Sequence, residues 1–169
     1  MTTKFEGNVR VEGTLTPTSL NVPAGAVTNT GIAAGANVDA DKTANRQAVP
    51  FGQANGSAVV AETRAVFIAR NAATIKAVEA ILQTPATGDY TISVDVQKAS
   101  AGVAAATILS ATVDFAAADS TAYTIKAGTL STTSLAANET LLVVVTVSGS
   151  SGSQGQGLAV TITVDENGA

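Results

Sequence analysis

The chain contains no cysteine, no histidine and no tryptophan. Without cysteine it can form no disulfide, hold no metal through a thiolate and offer no thiol nucleophile. Without histidine it lacks the commonest general base and the commonest metal ligand. Ser-His-Asp triads, zinc sites of the usual kinds and imidazole proton shuttles are therefore excluded. Carboxylate pairs could still work alone, but Asp114 and Asp119 flank a turn in a wet setting and do not form the paired acids of a glycosidase. The expectation is a protein that is not an enzyme, with no cofactor and no metal.

Charge is scarce as well. Charged residues make up 13% of the chain, against about 25% in an average soluble domain. The nine Lys and Arg are scattered singly and the net charge is −4, with a pI near 4.6. Such a chain repels nucleic acid and presents no basic patch to offset that repulsion. Long hydrophobic runs are missing too. The longest, Leu141–Val145, falls far short of the roughly 20 residues that span a bilayer, so no membrane partner is expected. The opening residues carry no apolar core of a secretory signal, and none is expected.

What remains is unusually apolar and small. Hydrophobic residues make up 46% of the 169, the mean hydropathy is +0.29, and yet there are only six aromatics, four Phe and two Tyr. A core built from these residues must be assembled from many Val, Ile, Leu and Ala side chains at close spacing. The length suits one domain.

Composition changes near residue 56, which divides an N-terminal segment, 1–56, from a domain at 57–169. Within the first, Asn8–Thr16 alternates, with Val9, Val11 and Leu15 on one side and Arg10, Glu12 and Thr14 on the other. That pattern predicts one short strand. A lone strand must find a partner sheet. From Asn21 to Pro50 the pattern dissolves into Gly, Ala, Thr and Asn with isolated apolar residues. So long a stretch without periodicity fits an extended arm better than a loop inside a domain. The residues expected to bind partners are Val9, Val11, Leu15, Leu20, Val22, Val27, Ile32 and Val38. Burying each large side chain stabilises by roughly 1.5–3 kcal/mol, against about 1–2 kcal/mol per residue for ordering the backbone. These sums nearly cancel in a monomer, and association tips them.

From Ser57 the sequence breaks into strand-length segments. Ala58–Ala69 carries Val59, Val60, Val66, Phe67 and Ile68. Thr74–Gln83 places Ile75, Val78, Ile81 and Leu82 at spacings that also fit a helix, and is read as a strand. Tyr90–Lys98 alternates strictly, with Tyr90, Ile92, Val94 and Val96 on one face. Leu109, Ala111, Val113 and Phe115 repeat the period. Tyr123 and Ile125 are expected to open the next strand, and Leu141–Val147, apolar on both sides, to be central. Ser148–Gly157 reads as a flexible loop, and Leu158–Val164 as the last strand. Seven or eight strands without a helix predict an all-β fold, an antiparallel, jelly-roll-like β-sandwich with an extended N-terminal arm.

Other motifs carry little chemistry. Asn37–Lys42 alternates oxygen ligands like a calcium loop, but Lys42 and Ala48 stand where the glycine and bidentate Glu belong. The glycine-rich stretch 149–157 opens a strand rather than a helix, so it is no phosphate cradle. Asn55-Gly-Ser57 and Asn138-Glu-Thr140 match the glycan acceptor pattern and read as turns. Glu62, Arg64, Arg70, Lys76 and Glu79 can pair across strands or touch a partner.

The stretches Lys4-Phe-Glu-Gly-Asn-Val-Arg-Val-Glu-Gly-Thr-Leu-Thr, Val22-Pro-Ala-Gly-Ala-Val-Thr-Asn and Ile32-Ala-Ala-Gly-Ala-Asn-Val-Asp-Ala-Asp-Lys resemble the N-terminal arm of decoration (cement) proteins of tailed-bacteriophage capsids. The Thr, Ser and Ala-rich sandwich that follows is similar to theirs, so the likeness spans most of the chain. The resemblance implies a homotrimer seated on the outer capsid surface of the virion. Its arms would clamp neighbouring copies of the major capsid protein. The alternative class is a phage fibre or host-surface carbohydrate-binding module, which exposed aromatics clustered in loops would favour.

Overall fold

The computed structural model describes residues 45–118 and 121–166. Ten strands make two antiparallel sheets packed face to face, and the described residues contain no helix. In the first sheet, β1 (Asn45–Gly52) pairs with β10 (Gln156–Glu166), which pairs with β3 (Ala73–Thr84). The far edge of β3 is shared by two short strands, β7 (Lys126–Ala127) against Glu79 and Ala80, and β8 (Ser134–Leu135) against Ala73 and Thr74. In the second, β2 (Glu62–Ile68) pairs with β9 (Thr140–Ser148), which pairs with β4 (Thr91–Ser100). The far edge of β4 is likewise divided between β6 (Val113–Ala116) and β5 (Val103–Thr107). The chain crosses from one sheet to the other at most connections, as in a jelly roll.

The core lies between the sheets and follows the period-two reading. Ile92, Val94 and Val96 of β4, Leu141, Val143 and Val145 of β9, and Leu158, Val160, Ile162 and Val164 of β10 are all buried. β9 sits between β2 and β4, which explains its two apolar faces: Leu142 and Val144 point outward and are half-buried. Phe115 is the one aromatic among the most fully buried side chains, and no polar or charged residue is buried among the described residues. Small aliphatic side chains fill the sandwich, as the composition requires.

The ambiguous segment is a strand, and its helix-like spacing has a local cause. Along β3 the partners run Val78↔Ile162, Ala77↔Thr163, then Ile75↔Val164, so Lys76 is an extra residue, a β-bulge. The bulge places Ile75 and Val78, three positions apart, on the same buried face, while Ile81 turns to the outer face.

The structure departs from the sequence reading in several places. Asn45–Gly52, inside the stretch assigned to the arm, is a full edge strand of the sandwich, with Val49 and Phe51 buried. Pro50 is accommodated because Gln53 N–H donates to Leu158 O at 2.9 Å, which sets the alternation so that residue 50 directs its nitrogen away from β10. The glycine-rich loop before β10 is pinned rather than free. Thr87 N–H donates to Ser153 O at 2.9 Å and Asp89 N–H to Ser151 O at 3.0 Å. In return the Asp89 carboxylate accepts from Ser150 N (2.9 Å) and Ser151 N (2.6 Å). Gly88, at φ +71°, lies so close that a side chain there would overlap the Ser151 carbonyl. Tyr123 does not open a strand: it adopts φ 58° in a turn, and it and Ile125 are exposed ahead of β7. Ala111 faces solvent between Leu109 and β6.

Candidate interaction surfaces

The eight residues expected to bind partners, Val9, Val11, Leu15, Leu20, Val22, Val27, Ile32 and Val38, lie outside the described residues, as does the calcium-like stretch 37–42. What the sandwich itself offers is surface.

Its charges are engaged at the rim. Arg46 forks onto Asp165 through Nε (2.7 Å) and Nη2 (2.9 Å), and Lys76 on the bulge stands 3.7 Å from the same carboxylate. The hydrogen bond from Arg46 holds the Asp165 carboxyl below the ordinary range. The two loop amides of Ser151 and Ser150 do the same for Asp89. Glu166 accepts from the backbone amides of Arg70 (2.7 Å) and Asn71 (3.0 Å) and from Gln47 Nε2 (3.0 Å), tying the β2–β3 turn to the first sheet. Asp95, next to Gln97, accepts from the Thr107 hydroxyl. Lys98 reaches Glu139 at 3.3 Å. Of the five charges expected to pair across strands, Lys76 does so. Glu62 and Arg64 pair with each other along β2 at 2.8 Å, and neither Arg70 nor Glu79 makes an ion pair with a described residue. No group of three or more acidic residues close enough to hold a metal occurs among the described residues.

Both acceptor-like sequons sit in tight turns. Ser57 N–H donates to Ala54 O at 3.2 Å with Gly56 at φ 71°, and Glu139 N–H donates to Ala136 O at 3.1 Å with Asn138 at φ 67°. That is turn chemistry.

Hollows lined by described residues interrupt the outer surface, two of them mainly apolar. On the first sheet, Ile81, Ile125, Ala159 and Thr161 surround a shallow one of about 180 Å³ with Glu79 at its border. Along β2, Ala65, Val66, Phe67, Ile68 and Arg70 line an open one of about 560 Å³. Next to it, Asn45, Gln47, Phe67, Ile68, Arg70 and Glu166 line another of about 380 Å³. None of the seven residues of β2 is buried, and Ile68 is 63% exposed. Sequence reasoning assigned Val66, Phe67 and Ile68 to a strand-length segment and gave no sign that they form a surface. A bulge at Val66 in the β2–β9 pairing breaks the alternation, and the open edge leaves the strand uncovered.

Comparison with known proteins adds little. No family model matches the chain, and no curated protein does. Among solved structures, the chain is similar to one of the infectious bursal disease virus Gx strain at 13% identity and a TM-score of 0.39, over 76% of this chain and 34% of that one. It is also similar to one of the Gt strain of that virus at 14% identity and 0.35, over 74% and 33%. The chain thus spans about a third of the length of each.

Proposed function

We propose that this protein is a structural component of a virion, a homotrimer that binds the outer capsid surface and clamps neighbouring major capsid subunits through its N-terminal arm. The observation that carries the reading is a division of labour along the chain. The described sandwich draws its core from residues 49–164. Ahead of β1 the chain carries a further 44 residues whose large apolar side chains are spaced singly, with one alternating stretch at 8–16. An extended segment of this kind gains little by itself and much by adding a strand to another chain. In a trimer three tethered arms act as one ligand, so weak contacts suffice. The resemblance of residues 4–42 to the arms of tailed-phage decoration proteins supports the same role. The chain without histidine or cysteine supports a role that uses contact rather than catalysis.

The exposed Tyr123 gives the carbohydrate-binding alternative one loop aromatic. Tyr90, the other tyrosine, packs against the core, so the pair forms no stacking platform. The proposal is tested by adding the full chain to purified tailed-phage capsids that lack it and following their thermal disruption. Stabilisation at a stoichiometry of three chains per site is expected. Capsids that neither bind the protein nor melt later would refute the role. Sedimentation of the protein alone checks the trimer.

A further inference from the structure

The larger hollow beside β2 is open, mainly apolar and bordered by a cation, and the adjoining one is lined mostly by polar side chains. β2 bonds to β9 on one side only. The chain leading into β2 is covered: the Gln53 amide donates to Val60 O (2.8 Å) and accepts from Val60 N (2.9 Å), two residues before the strand, and within it the Arg64 guanidinium lies 4.9 Å from the Phe51 ring centre. Among the described residues, no such contact covers the stretch Ala65–Ile68. Its apolar residues are joined by Arg70, whose guanidinium makes no ion pair with a described residue. The carboxylate nearest in the lining, Glu166, is already bonded to two amides and to Gln47. An uncovered strand edge with apolar side chains and a free guanidinium calls for an extended peptide that alternates small apolar and acidic residues.

This chain carries such a peptide close to the hollow. Asn45, the first residue of β1, lines the adjoining hollow, which shares Phe67, Ile68 and Arg70 with it. Immediately upstream runs Val38-Asp39-Ala40-Asp41. Extended, its Val and Ala share one side and its two carboxylates the other. Val38 stands seven positions before Asn45, a reach of at most about 25 Å. A tether this short raises the local concentration of the peptide far above that of any free chain. We infer that the hollow along Ala65–Arg70 is the docking groove for residues 38–41 of the same chain, with Val38 and Ala40 against Phe67 and Ile68 and an Asp on Arg70. The arm would then be free only upstream of residue 38. This inference concerns the arm's root and does not depend on what the arm grips.

The absence of native cysteine makes the test clean. In the full chain, Val38→Cys with Ile68→Cys is treated with a short bismaleimide crosslinker. Val38→Cys with Val103→Cys, on the opposite edge of the second sheet, is the control. The expected result is efficient crosslinking within single chains for the first pair, at least several-fold above the control. Arg70→Glu should lower that yield several-fold, and adding Asp39→Lys with Asp41→Lys should restore it. A product of dimer size would overturn the assignment in favour of exchange between copies. Equal yields in both pairs, or a yield indifferent to charge reversal at Arg70, would overturn the groove itself.

Discussion

Alanine placed at Gly88 should cost far more than alanine at Gly56, although the two glycines share a backbone angle. Both have φ +71°, but a Cβ at Gly56 meets nothing within 4 Å, whereas one at Gly88 runs into the Ser151 carbonyl. The shared conformational term, an L-residue held in the left-handed region, is about 1–2 kcal/mol. At Gly88 the loops must also separate, and Thr87 N–H and Asp89 N–H then lose Ser153 O and Ser151 O. Each such hydrogen bond contributes about 0.5–1.5 kcal/mol net. The expectation is therefore a loss of about 2–5 kcal/mol for Gly88→Ala and about 1–2 kcal/mol for Gly56→Ala, read by urea denaturation at constant m-value. Gly152→Ala, at φ +107° against the Thr87 carbonyl, should follow Gly88. Equal losses at positions 56 and 88 would mean that the serine- and glycine-rich loop is not locked against residues 87–89, and the reasoning would fail.

Phe115→Ala empties the largest fully buried side chain and should lower stability by about 3–5 kcal/mol in the same assay, whereas Ile125→Ala, 63% exposed, should change it by less than about 0.5 kcal/mol. Because hydrogen bonds depress the folded-state pKa of Asp89 and Asp165, both contribute stability above the unfolded carboxyl pKa of about 3.9. That contribution is lost as pH falls through their lower folded values. Asp89→Asn should flatten the acid limb of a stability–pH profile, and an unchanged limb would contradict the assignment.

The most legible elements were those whose alternation is uninterrupted. β4 and β10 announce their buried faces in Ile92, Val94, Val96 and in Leu158, Val160, Ile162, Val164, and the structure buries those residues. Where the backbone steps out of period, the sequence misleads. The bulge at Lys76 makes a strand look helical, and the bulge at Val66 hides which of Val66, Phe67 and Ile68 face outward. β1 was hidden because it buries only Val49 and Phe51, with Pro50 between them and Gly52 after. Proline reads as a stop unless the strand is known to be an edge. The loop at 149–155 is composed like a linker, but glycine serves there to let two backbones approach, and its partner lies some sixty residues away at 87–89. Positive φ at Tyr123 ends the alternation that Tyr123 and Ile125 suggested. Hydrogen bonds remote in sequence leave no local mark.

The central claim is that attachment resides in the arm and not in the sandwich. Because β1 starts at Asn45, the decisive truncation removes residues 1–44 and keeps Val49 and Phe51 in the core. Binding of this 45–169 fragment to capsids that lack the protein should be measured beside that of the full chain, by cosedimentation, after its denaturation midpoint has shown that it folds. The expected result is a folded fragment whose capsid affinity falls at least a hundredfold and which no longer delays thermal disruption. A folded fragment that binds and protects as well as the full chain would contradict it.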